Sequence, residues 1–180
     1  MRLVLDTCVI FPTVMREMLL GAAEAGFYTP IWSDRILEEW RRAAQRLGPV
    51  QAAVAEGEIA LLRAHWTASL IAPAPGLEAR LWLPDAADIH VLAVAVARSA
   101  DGIVTMNAKD FPRHLLAEEG LSRSDPDALL HGFWQARPEA MQAVGQTVLD
   151  RANAAGEGGW EIRPLLKKAR LPRLAKALSM

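Results

Sequence analysis

Apolar positions along the chain fall into runs and faces that mark its elements. Leu3-Val4-Leu5 is an unbroken apolar run closed by Asp6, the pattern of a strand covered on both faces, as in a parallel sheet. A helix is expected from about Pro12 to Ala25, with Gly26 just past its end. Phe27 to Trp32 reads as extended. Ser33 suits the N-cap of a helix from Arg35 to Leu47, which Gly48-Pro49 closes. A further helix over Gln51 to His65 and a short strand over Ser69-Leu70-Ile71-Ala72 follow. Prolines and a glycine break Pro73 to Pro84 into a loop.

Asp85 to Ala100 reads as one helix without a polar face, since Ile89, Val91, Leu92, Val94 and Val96 surround it. Such a helix belongs in the centre of a domain. Gly102-Ile103-Val104-Thr105 is the next strand. Strands alternating with helices argue for an α/β fold with a central parallel sheet covered on both faces. Beyond about Leu121 the pattern changes. Ser124-Asp125-Pro126 looks like a helix start, leading to helices over Asp127 to Ala136 and Pro138 to about Ala155. Gly156-Glu157-Gly158-Gly159 is a break, and no strand signal follows Thr105. The expected organisation is an α/β domain over residues 1–121 and a small helical appendage over 122–180.

Composition narrows the class. The 180 residues are 52% hydrophobic and 23% charged, which suits a folded globular chain rather than a disordered one. The single cysteine, Cys8, excludes an intrachain disulfide and fits a reducing cytosol. No apolar run reaches the length of a membrane span, and the N-terminus lacks the apolar core of a signal peptide, so a cytoplasmic protein is expected. The net charge of -1 does not advertise nucleic acid. Residues 161–180, however, hold six basic residues and one acid. They form either a solvated basic face or a phosphate-contacting tail.

The candidate chemistry lies in the acids. Ligands of open parallel sheets bind beyond the carboxyl ends of the strands. Asp6 ends the first strand, and Asn107 and Asp110 follow the Ile103 strand, so they can meet at one sheet edge. Asp88 opens the buried helix, and Glu39 lies on the Arg35–Leu47 helix. Each has a structural reading when taken alone. Asp6 could cap the next helix, Asp88 stands at capping-box spacing from Asp85, and Asp110 could make a turn before Phe111-Pro112. Glu38 and Glu39 could pair with nearby arginines. Together they point elsewhere, because carboxylates gathered at one edge repel unless a cation sits among them. Oxygen donors suit Mg²⁺ or Mn²⁺, and no His/Cys cluster stands at zinc spacing. The chemistry that such a centre supports is phosphodiester hydrolysis.

These segments, taken in order, resemble the PIN-domain ribonuclease family. Leu3-Val4-Leu5-Asp6-Thr7-Cys8-Val9 resembles its opening strand and first acid. Ile36-Leu37-Glu38-Glu39-Trp40 resembles the helix of the second acid, Glu39 matching better than Glu38. Pro84-Asp85-Ala86-Ala87-Asp88-Ile89-His90 resembles the start of the third-acid helix. Ala100-Asp101-Gly102-Ile103-Val104-Thr105-Met106-Asn107-Ala108-Lys109-Asp110 resembles the closing motif. The resemblance implies a PIN-like three-layer α/β/α sandwich over residues 1–121 with a helical C-terminal extension. It also implies an Mg²⁺- or Mn²⁺-dependent endoribonuclease that cleaves RNA. Asp6, Glu39, Asp88 and Asp110 would be the catalytic and metal-binding acids, with Thr7, Thr105 and Asn107 supporting them. Similarity to VapC-like toxins implies a homodimer and a small antitoxin partner, with no membrane.

Three departures stand out. Cys8 replaces the usual Asn, whose amide would orient the acids. Ala87 stands where relatives often carry a second acid, and Ile89 where they often carry Arg. Arg35 and Arg42 on the Glu39 helix are candidate RNA contacts, or else solvated helix charges. The altered Cys8 position motivates an alternative, a catalytically weak RNA-binding or regulatory PIN protein. A third reading, a phosphotransferase with Asp6 as nucleophile, lacks the second Asp that such enzymes often place where Cys8 stands.

Overall fold

A computed structural model describes residues 1–156 and 158–179. In chain order the elements are β1 (Arg2–Leu5), α1 (Thr7–Ile10), α2 (Thr13–Glu24), β2 (Thr29–Ser33), α3 (Asp34–Arg46), α4 (Pro49–His65), β3 (Leu70–Ile71), α5 (Pro75–Glu78), a 3-10 turn (Ala86–Asp88), α6 (Ile89–Ala97), β4 (Gly102–Val104), α7 (Arg113–Glu118), β5 (Ser122–Ser124), α8 (Pro126–Ala136), α9 (Pro138–Ala155), α10 (Ile162–Lys168) and α11 (Pro172–Ala177). They form two compact units. One joins Met1–Phe11 to Thr29–Arg123, and the other joins Pro12–Tyr28 to the chain from Ser124 onward. No helix among the described residues is long and apolar enough to cross a membrane.

The first unit is built on a five-stranded sheet in the order β3-β2-β1-β4-β5. Strand β1 runs parallel to both β2 and β4, and β2 parallel to β3, as the apolar run at Leu3 to Leu5 leads one to expect. Val4 is paired with Ile31 on one side and Ile103 on the other, and Leu3, Val4, Leu5, Ile103 and Val104 are buried. Pro30 can stand in β2 because it lies before the part of that strand paired with β3. Helix α6 packs on β1, β2 and β4 with His90 to Ala95 all buried, the central position expected of a helix without a polar face.

Three expectations need correction. The segment from Asp85 to Ala100 is not one helix. Asp85 caps a tight 3-10 turn by accepting from Ala87 N at 2.8 Å, and the α-helix begins only at Ile89. The loop from Pro73 to Pro84 contains the one-turn helix α5. A strand does follow Thr105, namely β5. Its Ser-Arg-Ser sequence carries no apolar alternation, so no hydrophobic pattern announces it. Close approach admits it: a Cβ on Gly102 would lie 2.6 Å from the Ser122 carbonyl oxygen, and Ser122 N bonds Asp101 O at 3.1 Å.

The second unit is helical. Within it, α2 packs on α8 and α9, and α8 packs on α11. Phe27 and Tyr28 stack on Phe133 with ring centroids 4.8 and 5.7 Å apart, and the Arg137 guanidinium lies 3.7 Å over Phe27. Gly158 and Gly159 adopt φ of +77° and +81°, in keeping with the expected break; Glu157 lies outside the described residues. Asp127 is buried on α8 and accepts from the Arg173 and Leu174 backbone N–H groups at 3.0 Å each. It thereby satisfies the open N-terminus of α11, which no residue of its own helix caps. Asp127→Ala should lower unfolding free energy by roughly 1–3 kcal/mol, the cost of orphaning one buried and one part-buried N–H group. Urea denaturation measures this, and an unchanged midpoint would show that the cap contributes nothing.

Candidate metal centre

The polar side chains collect beyond the carboxyl ends of β1, the central strand, and its neighbour β4. Asp6 directly follows β1 and still belongs to the ladder, its N–H bonding Val104 O at 3.2 Å. It is the N-cap residue of α1, yet its side chain caps nothing. Instead Asp6 Oδ2 accepts from the Thr105 hydroxyl at 2.7 Å and from the Cys8 thiol at 2.9 Å. Asp6 is buried, and so is Thr105. A short polar chain then runs outward along the loop after β4. Thr105 Oγ1 accepts from Asn107 N at 2.9 Å. Asn107 Nδ2 donates to Asp88 Oδ2 at 3.2 Å, and Asn107 Oδ1 accepts from Asp110 N at 3.4 Å. One amide side chain therefore ties Asp88 to the turn that carries Asp110. The buried ring of Phe111 anchors that turn.

Glu39 is held from the other side. The Ser33 hydroxyl caps α3 by accepting from Ile36 N at 3.3 Å, and Ile36, Leu37 and Trp40 turn inward. That phase leaves Glu38 half-buried, where it pairs with Arg41 and Arg42, and turns Glu39 toward the acids. Glu39 accepts from the Thr7 hydroxyl at 2.7 Å and bonds His90 Nε2 at 2.7 Å. An ionised carboxylate only accepts, so Nε2 carries the proton. Burial works to raise the Glu39 carboxyl, but the bonds to His90 and Thr7 prevail and hold it below the ordinary glutamate range.

Asp88 behaves in the opposite way. It is the N-cap residue of α6 but caps nothing, because Asp85 bonds the turn before it. Its carboxyl is pushed up to about 6, first by partial burial and then by the charges of Asp6, Asp85, Asp110 and Glu39. Four other carboxylates thus act on one. The oxygens of Asp85, Asp88 and Asp110 lie within 4.8 Å of one another. Each acid can offer one oxygen to a shared hard cation, which Mg²⁺ would hold at about 2.1 Å. The donors are all oxygen, the set that Mg²⁺ and Mn²⁺ prefer. The residues present fit such an ion.

The structure therefore gathers Asp6, Glu39, Asp88 and Asp110 with Thr7, Thr105 and Asn107. Arg35 borders them, bonding Glu78 at 3.3 Å and Ala87 O at 3.4 Å. Arg42 is exposed and engaged with Glu38 instead. Asp85, which the sequence suggested only as a cap, joins the acidic cluster. The signal was its spacing, since one 3-10 turn places residues 85 and 88 on one side. Cys8 also does more than expected. Its sulfur donates to Asp6 and accepts from Met106 N at 3.3 Å, so the thiol links the first acid to the loop after β4. Burial, then the Asp6 charge, pushes the thiol up to about 12, so it is no nucleophile at neutral pH.

The raised Asp88 carboxyl has a consequence for stability. Its folded value lies above the unfolded one, so its favourable contribution is complete below about pH 4 and is lost as pH rises through about 6. Metal-free Asp88→Asn should therefore melt above the wild type at pH 7.5, by a margin that narrows toward pH 4.5. Added Mg²⁺ or Mn²⁺ should raise the melting temperature of the wild type and much less that of the variant. Thermal denaturation in chelator and in metal checks both. Equal melting of the two proteins at pH 7.5 in chelator would show that the acids do not strain this site.

The PIN domain family matches residues 2–109, more than half of the chain. The match runs from β1 to the turn after β4 and takes in Asp6, Glu39, Asp85, Asp88 and Asn107, ending one residue short of Asp110. No curated protein and no solved structure matches the chain. The sheet order, the gathered acids and this match agree, and the chain belongs to the PIN domain family.

Proposed function

We propose that the protein is an Mg²⁺- or Mn²⁺-dependent endoribonuclease that hydrolyses RNA phosphodiester bonds. PIN domains are usually metal-dependent nucleases. The observation that carries the reading for this chain is the gathering of Asp85, Asp88 and Asp110, with oxygens within 4.8 Å of one another, where partial burial and then the neighbouring carboxylates raise the Asp88 carboxyl. Asp85, Asp88 and Asp110 would hold the cation, with Asp6 and Glu39 completing the acidic wall. When bound, a divalent cation supplies a water of lowered pKa and neutralises charge developing at phosphorus.

The protein's own contribution is arrangement. Thr105 and Cys8 hold Asp6 in place, Thr7 and His90 hold Glu39 and keep it ionised, and Asn107 sets Asp88 relative to Asp110. Arg35, at the border of the acids, is the nearer candidate for a substrate phosphate. A toxin role, a small antitoxin partner and a homodimer belong to the same reading, and the likeness of the motifs to VapC-like toxins supports them.

Cleavage of a labelled single-stranded RNA should appear only with Mg²⁺ or Mn²⁺ and vanish in chelator. Asp6→Asn and Asp88→Asn should each reduce it by about a hundredfold or more. A wild type silent across both metals would leave an RNA-binding protein in place of a nuclease. The Cys8 bond to Asp6 generates a separate expectation. Cys8→Ala should weaken metal-dependent cleavage by roughly ten- to a hundredfold, whereas Cys8→Asn should retain most of it. If Cys8→Ala cleaves like the wild type over a full metal titration, the thiol has no orienting role.

A further inference from the structure

Trp82 is 64% exposed, and it is the sole aromatic among the large exposed hydrophobic side chains of the described residues. Its exposure does not come from a loose loop. Leu81 and Leu83, on either side, are 8% and 2% exposed, so an extended in-out-in segment is pinned by its neighbours and turns the indole outward. Ion pairs brace the same region. The Arg80 guanidinium meets both Glu119 oxygens at 2.9 and 3.1 Å, and Arg35 joins Glu78 to the Ala87 carbonyl. An indole offers one of the largest apolar surfaces in a protein, and the fold leaves this one in water on a fixed mount.

Position suggests what it meets. Trp82 stands three residues before Asp85, so its Cα lies within about 11 Å of that acid's Cα. A strand of nucleic acid cut at the acids passes close by. The exposed residues beside it along the chain are Ala79, Arg80, Pro84, Asp85, Ala86 and Ala87. A protein interface needs several hundred Å² of contiguous apolar surface, to which these small and charged side chains add little. A nucleobase needs one π-face, and every base has one. In a duplex those faces are already stacked and paired.

We propose that Trp82 is a base-stacking platform that selects single-stranded RNA at this centre, an inference that rests on reading the acids as a nuclease site. The base beside the scissile phosphate lies on the indole. Recognition is by stacking and therefore tolerant of sequence.

The test uses the full chain and a fluorescein-labelled RNA, single-stranded or annealed to its complement. Anisotropy in chelator reads binding without cleavage, and initial rates in Mg²⁺ and Mn²⁺ read turnover. Trp82→Ala should weaken single-strand binding by roughly tenfold or more, with the loss in cleavage falling on KM rather than kcat. Trp82→Phe should restore most of it, and the duplex should bind weakly and indifferently to either change. Wild-type affinity in Trp82→Ala overturns the proposal, as does an absence of single-strand binding by the wild type. A changed elution volume on gel filtration with RNA binding intact overturns it in favour of a protein contact. Trp82-dependent binding without cleavage in either metal removes the nuclease reading and keeps the platform. Cleavage that ignores Trp82 keeps the nuclease and removes the platform.

Discussion

Repulsion between carboxylates held at one end of the sheet is the constraint to which the rest of the site answers. Two like charges about 4 Å apart cost on the order of 4 kcal/mol at the effective dielectric of a protein surface. The fold meets part of that cost with hydrogen-bond donors, the His90 ring on Glu39 among them. Two hydroxyls, a thiol and an amide orient the acids without cancelling their charge. Arg35 stands near enough to lower Glu39, but its hydrogen bonds go to Glu78 and a carbonyl. Much of the negative field of the acidic cluster stays uncancelled by the protein's own cations.

The acids do not share the strain equally. Glu39, furnished with two partners, is held ionised, whereas Asp88 carries the resistance to further charge. A site that divides its carboxylates in this way has preformed anions for geometry and one group whose ionisation is completed by what binds. The bond from Asn107 fixes Asp88 without relieving it, since a neutral amide donor offsets only part of the surrounding charge.

Much of the sheet and the acid set could be read from residue order. Leu3 to Leu5 and Gly102 to Val104 are short apolar runs with polar groups directly after them, and strand ends are where such groups matter. Ser33 and Asp125 marked helix starts that the structure bears out through bonds to Ile36 and Ala128. What escaped reading was set by tertiary approach. Strand β5 exists through Gly102 and backbone pairing, not through apolar alternation. Asp85 was legible as a cap, but its closeness to Asp110 depends on the turn after β4, some twenty residues away. Cys8 was read as a loss because thiols are poor amide substitutes in general. In this setting the sulfur both donates to Asp6 and accepts from Met106 N, bonds that residue order alone does not reveal.

The chain order of the two units bears on how the protein is made. Helix α2 lies between β1 and β2, yet its partners within its own unit, α8 and α9, are encoded more than a hundred residues later. During synthesis its apolar positions, Met15, Met18 and Leu19 among them, leave the ribosome long before those partners exist. Release of a truncated chain would strand that helix without cover. The last third of the sequence is thus a condition for the first third to reach a soluble end state, and incomplete translation products become targets for aggregation or proteolysis.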